Sequence, residues 1–202
     1  MRLGVLVSGK GTNLQAILDA IACGELDATV AYVACNHRGA QAIERAGQAG
    51  VPAGLYTQQE YGTRQAQQRA IAAQLKEANV ELVVLAGWDR VLTGEFVAAF
   101  EGRIINVHPS LLPAFAGGLH AIAEALKYKV KITGCTIHFV TDDLDAGPII
   151  AQAAVPVLQD DTEETLAERI HKEEHRILVE AIKLLVAGKL RVEGQSVMIC
   201  DT

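Results

Sequence analysis

The sequence predicts an α/β fold, a doubly wound and mostly parallel sheet with an antiparallel hairpin at its edge. In the first half, short runs that are apolar almost throughout alternate with segments whose apolar residues recur near the helical period. Continuous apolarity indicates strands that are buried on both faces, as in a parallel sheet covered by helices. Further along, two strand-like segments are separated only by a short turn, which favours an antiparallel pair.

Strands and helices are predicted to alternate from the start of the chain to about residue 107, in the order βαβαβαβαβ. The strands are predicted at Leu3–Val7, Val30–Ala34, Ala53–Tyr56, Leu82–Ala86 and Arg103–Val107. The helices between them are predicted at Thr12–Cys23, Ala40–Gly50, Arg64–Asn79 and Gly94–Phe100.

The pattern changes after Pro113. A glycine-rich stretch of mixed composition, Ala114–Tyr128, contains no predicted element. Strand-like segments follow at Ile132–Val140 and Pro148–Val157, and the turn DDLDAG joins them. We expect these two segments to form the hairpin at the sheet edge.

A long helix is predicted to start at residue 161 or 162. Glu163 lies in its first turn, where the helix dipole favours an acidic side chain. The helix should end near Val186, because Gly188 follows it. The tail, Leu190–Cys200, is expected to add one short strand.

Composition limits the class of protein. The chain has 202 residues, of which 50% are hydrophobic, enough for a folded core in one domain. A net charge of −6 has the wrong sign for a nucleic-acid-binding protein. The four cysteines lack a CxxC spacing and are interpreted as reduced thiols. The first apolar run is too short for a signal peptide or a membrane span, so a cytoplasmic location is expected.

A glycine loop joins the first predicted strand to the first helix. Its residues, Val7–Leu14, lie where helix amides point outward and attract an anion, which favours a phosphate site. Leu14 breaks the dinucleotide pattern GxGxxG, and Gly11 stands where a Walker loop needs Ser or Thr. A tight turn with Thr12 as helix N-cap explains the loop equally well.

Asn106 and His108 end the fifth predicted strand. Residues two apart on a strand point to the same side, and this edge of a doubly wound sheet is where ligands bind. Such a pair can stabilise a developing oxyanion by two hydrogen bonds. A structural histidine at a strand end is the alternative.

At this point the sequence resembles a known family. The run NVHPSLLP from Asn106 to Pro113 is similar to the signature of the folate-dependent formyltransferases. The turn TDDLDAGP, Thr141–Pro148, matches the loop that carries the aspartate of that family and places it at Asp145, although by itself it is an ordinary Asp-initiated turn. The opening SGKGTNLQ, Ser8–Gln15, resembles the branch whose acceptor is the amine of phosphoribosylglycinamide in purine biosynthesis.

The resemblance covers essentially the whole chain and implies a Rossmann-like formyltransferase fold. It implies a single domain, 1–202, with a phosphate-binding half at 1–107 and a folate-binding and catalytic half at 108–202. The formyl donor would be 10-formyltetrahydrofolate as cosubstrate, with no metal, nucleic acid or membrane involved. The protein would act as a monomer or homodimer.

The resemblance also implies roles for individual residues. Asn106, His108 and Asp145 would be catalytic, with the aspartate keeping the imidazole charged and relaying a proton. The acceptor substrate would contact Gly11, Thr12, Asn13, His171, Lys172, Glu173 and Glu174, with Glu174 nearest its amine. The folate would contact Arg64, Asp89, Arg90, Val91, Leu92, Asn106, Thr141, Asp142, Asp143, Leu144 and Asp145.

The chain departs from the family pattern at three places. Asp89 stands where the family commonly has Met, which affects the expected pterin contacts. Ala116-Gly117-Gly118 and Ile122-Ala123-Glu124 differ in a stretch that acts as a lid in relatives.

Several other residues have a structural and a functional interpretation. His171 and His175 are spaced to share a metal, but HKEEH is not a zinc motif and no third ligand is near in sequence. Trp88 either flanks the pterin or packs in the core. Cys35 is predicted to be a small buried hydrophobic residue, and His138 a structural one near the pocket.

Two other functions are alternatives. A non-catalytic module that binds a nucleotide or phosphosugar would keep the same fold, but it would have no use for Asn106, His108 and Asp145 together. A hydrolase would release formate from the formyl donor.

Overall fold

The computed structural model describes residues 1–118 and 120–200. The chain forms two compact units, Met1–Ile105 and Asn106–Thr202. Seven strands form one sheet, in the order β3 (Ala53–Leu55), β2 (Thr29–Cys35), β1 (Arg2–Val7), β4 (Leu82–Leu85), β5 (Ile104–His108), β6 (Ile132–Phe139) and β7 (Ile149–Pro156). This order confirms the doubly wound fold predicted from the sequence.

The first unit alternates strands and helices as predicted. Its strands are β1 (Arg2–Val7), β2 (Thr29–Cys35), β3 (Ala53–Leu55) and β4 (Leu82–Leu85), followed by the start of β5 (Ile104–His108). Its helices are α1 (Thr12–Ala22), α2 (Gln41–Gln48), α3 (Gln58–Tyr61), α4 (Arg64–Glu77) and α5 (Gly94–Ala99). The pairs β1–β2, β1–β4 and β2–β3 are parallel. The short helix α3 was not predicted.

Burial explains why these strands form. Leu3, Val5, Leu6 and Val7 of β1 are completely buried, so the strand is covered on both faces. Burying one such side chain contributes about 1.5–3 kcal/mol. The continuous apolar runs therefore identified the strands to within one or two residues.

The second unit contains the antiparallel hairpin. Strand β6 (Ile132–Phe139) pairs with β7 (Ile149–Pro156), and the register shifts between Ile137 and His138. β7 is the last strand in the order of the sheet, as predicted for an edge hairpin.

Helix α7 (Glu163–Val186) confirms the predicted long helix. Thr162 is its N-cap, and the Thr165 side chain completes a capping box. Arg169 forms a forked ion pair with Asp161 just before the helix. Its hydrogen bond lowers the pKa of Asp161 well below the usual value for a carboxyl group. These contacts explain why the helix begins at this point.

Two regions differ from the prediction. Helix α6 (Ala121–Lys127) lies in the stretch for which no element was expected. It buries only the small residues Ala121 and Ala125, so its apolar periodicity is weak. The tail forms a separate hairpin of two strands, β8 (Leu190–Glu193) and β9 (Ser196–Ile199), instead of one strand. Gly194, with φ of 60°, makes the tight turn between them.

A matched pair of Gly→Ala substitutions tests the packing of the hairpin. A Cβ atom on Gly134 of β6 would lie 1.9 Å from the carbonyl oxygen of Ala153, so the backbone must move. We expect Gly134→Ala to lower the free energy of unfolding by about 3 kcal/mol, as overpacking does.

Gly47 in α2 has no atom within 4 Å of the position that a Cβ would take. Gly47→Ala should raise stability by up to about 1 kcal/mol. Urea unfolding measures both, and equal effects would contradict this account.

Candidate active site

The predicted catalytic residues meet in the second unit. Asn106 and His108 lie two residues apart on β5, and His108 is 4% exposed. Asp145 lies in the turn between β6 and β7, and its side chain is 9% exposed. His108 Nδ1 is 3.5 Å from Asp145 Oδ2, so the two side chains form a buried pair at ion-pair distance.

A loop backbone holds both members of this pair. His108 Nε2 lies 3.1 Å from the carbonyl oxygen of Phe115 and donates its proton there. The backbone N–H of Gly117 donates to Asp145 Oδ2 over 2.8 Å. Nδ1, the other ring nitrogen, faces the carboxylate, and it can donate to it only when the ring carries both protons.

Two residues at this site have unusual backbone conformations. Phe115 has φ of 57° and Asp145 has φ of 52°. Asp tolerates this left-handed region, whereas a bulky aromatic residue rarely adopts it. Phe115 and Gly117, which contact the His108–Asp145 pair, therefore lie in a loop with a strained backbone. Backbone strain of this kind is concentrated at functional sites.

His138 belongs to the same group of side chains, which the sequence did not reveal. Its Nε2 lies 3.1 Å from Asn106 Nδ2 and 3.7 Å from Asp145 Oδ1. Its Nδ1 lies 2.9 Å from the carbonyl oxygen of Phe139 and donates to it. Burial lowers the pKa of His138, which keeps its Nε2 an acceptor for the Asn106 amide. His138 therefore orients the amide of Asn106, a role beyond the structural one predicted. Its position one residue before the end of an apolar strand was the only sequence signal.

The glycine loop lies in the first unit. Gly11 is the N-cap of α1 with φ of 70°, and Thr12 is the first helical residue, so the alternative in which Thr12 caps the helix is wrong. A Cβ on Gly11 would lie 2.8 Å from Ala42 Cβ, so the close approach of α2 requires glycine. No side chain caps α1, and its first amides are of the kind that binds anions. Asn13 is buried in the first turn.

Asp89, which lies beyond the end of β4, binds side chains that follow two other strands of the first unit, β1 and β2. Its Oδ1 accepts from Ser8 Oγ at 3.0 Å and from Asn36 Nδ2 at 2.7 Å, and its Oδ2 pairs with His37 Nε2 at 2.7 Å. Burial by itself raises the pKa of Asp89, but the hydrogen bonds from Asn36, His37 and Ser8 outweigh it and the pKa lies below its ordinary value. Both carboxylate oxygens are engaged within the first unit.

The other predicted folate contacts divide between the two units. In the first unit, Arg64 is the first residue of α4, and Arg90, Val91 and Leu92 follow β4. Buried Gln68 donates to the carbonyl of Val91 and accepts from the amide of Thr93, which holds this segment in place. In the second unit, the four residues of the turn before Asp145 are all exposed, namely Thr141, Asp142, Asp143 and Leu144.

The predicted acceptor contacts on α7 have different surroundings. His171 and Lys172 are exposed, Glu173 pairs with Arg176, and Glu174 is 4% exposed. Burial lowers the pKa of His175. Across residues 1–118 and 120–200, no group of three or more His, Cys, Asp and Glu side chains is arranged to hold a metal ion.

Burial bears on the interpretation of two further residues. Trp88 is 8% exposed, which fits both a residue of the core and one that flanks the pterin. Cys35 is fully buried, and burial raises the pKa of its thiol, as expected for a small hydrophobic residue. Among the helices that the structure describes, none is both long and apolar enough to cross a membrane.

Comparison with known proteins assigns the chain to a class. The model of the family described as "Formyl transferase" matches residues 1–182. The chain belongs to the formyl transferase family.

The chain is also similar to individual members of this family. Phosphoribosylglycinamide formyltransferase of Bacillus subtilis is 40% identical over 192 residues, which cover 95% of this chain and 98% of the relative. The crystal structure of glycinamide ribonucleotide transformylase 1 from Symbiobacterium toebii superimposes with a TM-score of 0.96 at 51% identity, covering 100% of this chain and 94% of that one. The trifunctional purine biosynthetic protein adenosine-3 of Gallus gallus is 42% identical over 99% of this chain, which spans only 20% of that relative.

The buried His138 predicts a loss of stability in acid. Its pKa in the folded protein lies below the ordinary value of 6.5, so the unfolded chain binds more protons as the pH falls through that value. The contribution of His138 to the free energy of unfolding should therefore be complete above about pH 7 and should decrease as the pH falls below 6.5. Urea unfolding at a series of pH values measures this loss.

His138→Gln should reduce the acid-side loss, since Gln keeps an acceptor for Asn106 but does not titrate. His120→Gln, at an exposed histidine, is the matched control and should lose as much stability in acid as the parent. An unchanged pH dependence in His138→Gln would contradict the assignment.

Proposed function

We propose that this protein transfers the formyl group of 10-formyltetrahydrofolate to the amine of phosphoribosylglycinamide, in keeping with the name of its Bacillus subtilis relative, phosphoribosylglycinamide formyltransferase. The products are formylglycinamide ribonucleotide and tetrahydrofolate, in purine biosynthesis. The observation that carries the proposal is the convergence of Asn106, His108 and Asp145 on one buried group in the second unit.

Asn106 donates a hydrogen bond to the oxygen that becomes negative when the amine attacks the formyl carbon. His108 would donate a second one from Nε2, in place of its hydrogen bond to the Phe115 carbonyl. His138 occupies one N–H of the Asn106 amide and so fixes its plane, which leaves the second N–H for the oxygen. One donor of this kind in a dry site lowers the barrier by about 3 kcal/mol. The exclusion of water from His108, which is 4% exposed, makes such a hydrogen bond stronger.

Asp145 has two tasks in this mechanism. We propose that it pairs with the imidazolium form of His108, whose Nδ1 lies 3.5 Å from Oδ2. We also propose that it relays a proton from the attacking amine to N10 of the folate through an ordered water. As the carbon–N10 bond breaks, N10 leaves with that proton and the amine keeps the formyl group. The carboxylate also accepts from Gly117, so its orientation is set before the substrates bind.

Binding of the two substrates is assigned to the residues that match the family. We propose that the amides of Gly11, Thr12 and Asn13 hold the phosphate, because α1 lacks a side-chain cap. The rest of the acceptor would contact His171, Lys172, Glu173 and Glu174. The formyl donor would contact Arg64, Arg90, Val91, Leu92 and the 141–145 turn.

The whole chain would act as one formyltransferase domain without a metal cofactor. Its four cysteines are free thiols, which supports a reducing compartment such as the cytoplasm. We propose small-molecule substrates alone as binding partners, with the enzyme acting as a monomer or homodimer.

Substitution of the catalytic pair tests these roles. We expect His108→Ala and Asp145→Ala each to lower kcat by about 10²-fold or more, while both substrates still bind. Asp160→Asn, at an exposed carboxylate of the same unit, is the control and should keep the parental kcat. Steady-state kinetics with equilibrium binding distinguish the two effects. Parental turnover by Asp145→Ala would show that the assignment is wrong.

Dependence on the acceptor tests the reaction class. The protein is mixed with 10-formyltetrahydrofolate, with and without phosphoribosylglycinamide, and loss of the donor is followed together with the products. We expect loss of the donor only when the acceptor is present. Formate release without acceptor would identify a hydrolase, and no turnover under either condition would identify a binding module.

A further inference from the structure

Four polar side chains form a cluster at the carboxyl ends of three neighbouring strands in the first unit. We call Ser8, Asn36, His37 and Asp89 the Asp89 cluster. Ser8 follows β1, Asn36 and His37 follow β2, and Asp89 lies beyond β4. Ser8 is also part of the glycine loop, so the cluster is covalently continuous with the proposed phosphate site.

We propose that Asp89 is a positioning residue for the glycine loop, acting through Ser8 on the phosphate of the acceptor substrate, and that it does not line the folate site. This inference rests on the proposed function. It changes the role that family resemblance implied for position 89, where relatives commonly have Met.

Asp89 and Ser8 are joined by two hydrogen bonds in opposite directions. Ser8 Oγ donates to the carboxylate at 3.0 Å, and the backbone N–H of Asp89 donates to Ser8 Oγ at 3.0 Å. The Ser8 amide also donates to the carbonyl of Gly87 at 3.0 Å. This first loop residue after β1 is thus held by both its side chain and its backbone, which leaves it little rotational freedom.

Helix α2 holds the middle of the same loop. The Ala42 amide donates to the carbonyl of Gly9 at 3.3 Å, and Arg45 Nε donates to the carbonyl of Lys10 at 2.8 Å. Gly11 lies against Ala42, where a Cβ does not fit. With α2 holding residues 9–11, the Asp89 cluster supplies the remaining anchor at residue 8. An anion site made of backbone amides depends on such anchoring, because no mobile side chain corrects its geometry.

The contacts of position 89 require a carboxylate. Three donors from Ser8, Asn36 and His37 share its two oxygens, and Arg90 Nε lies 3.6 Å from Oδ1. Asn36 is 7% exposed, and its amide nitrogen faces Asp89. An amide at position 89 lacks the negative charge that strengthens these hydrogen bonds. It keeps one acceptor atom for Ser8 and Asn36, and its NH2 group is accepted by His37 Nε2 only after that ring changes tautomer. The Arg90 guanidinium also offsets the carboxylate charge, which would otherwise repel a phosphate.

The experiment compares Asp89→Asn, Ser8→Ala, the double variant and Asp27→Asn. Asp27 is an exposed carboxylate of the same unit and controls for the loss of one negative charge. For each protein we measure kcat and two Michaelis constants, one for the acceptor phosphoribosylglycinamide and one for the formyl donor. The inhibition constant of inorganic phosphate against the acceptor is measured in parallel. Urea unfolding verifies that each variant is folded.

We expect Asp89→Asn and Ser8→Ala each to raise the acceptor KM and the phosphate inhibition constant roughly tenfold, the effect of losing one hydrogen bond to a charged group. The donor KM and kcat should stay within about twofold of the parent. The double variant should be no worse than the more affected single variant, because both substitutions break the same link. Asp89→Glu should recover part of the loss, since it restores a carboxylate. Asp27→Asn should match the parent.

A rise in the donor KM with an unchanged acceptor KM would overturn the inference and return Asp89 to the folate site. Additive effects of the two substitutions would show that Asp89 does not act through Ser8. If Asp89→Asn fails to fold, Ser8→Ala alone decides the outcome, because it leaves the contacts of Asp89 with Asn36 and His37 intact. If the parent shows no acceptor-dependent transfer, the proposed function fails, while calorimetric titration of the same proteins with inorganic phosphate still tests the link to the loop.

Discussion

The buried carboxylate of Asp145 is the interaction on which the candidate active site depends. It lies within 3.7 Å of two imidazoles, those of His108 and His138, and it accepts the amide proton of Gly117. A carboxylate with so little exposure is stable only when hydrogen bonds and opposite charge compensate its lost hydration. The residues around Asp145 provide this compensation, and they are the same groups that the proposed reaction needs in defined orientations.

The two histidines around Asp145 have different tasks because their other ring nitrogens have different partners. His108 donates from Nε2 to the carbonyl of Phe115, and its Nδ1 faces the carboxylate. His138 donates from Nδ1 to the carbonyl of Phe139, which leaves Nε2 to accept from Asn106. Backbone carbonyls thus fix one protonated nitrogen in each ring, Nε2 of His108 and Nδ1 of His138. We propose that His108 takes part in the chemistry and that His138 orients the Asn106 amide.

The first unit uses a carboxylate in a comparable way at the ends of its strands. Asp89 collects donors from Ser8, Asn36 and His37, and its short side chain offers little apolar surface with which to stack on a ring. The family resemblance leads to an expected Met at this position, and the carboxylate found there is matched by this set of donors. Both carboxylates stabilise loops that follow β-strands, where backbone groups have no sheet partner.

Local pattern predicted most of the fold. The apolar runs of β1 and β4 and the capped start of α7 are encoded within a few neighbouring residues, so the sequence by itself determined the order of strands and helices. It also determined the candidates Asn106, His108 and Asp145, through spacing and resemblance. Helix α6 and the hairpin β8–β9 were missed because two buried alanines and a single turn glycine are weak local signals.

Only the tertiary structure decided the partners of Asp89 and the role of His138. Ser8 and Asp89 are 81 positions apart, and Asn106 and His138 are 32 apart. Hydrogen bonds over such separations depend on how the strands are brought together in space, which no local pattern of residues encodes.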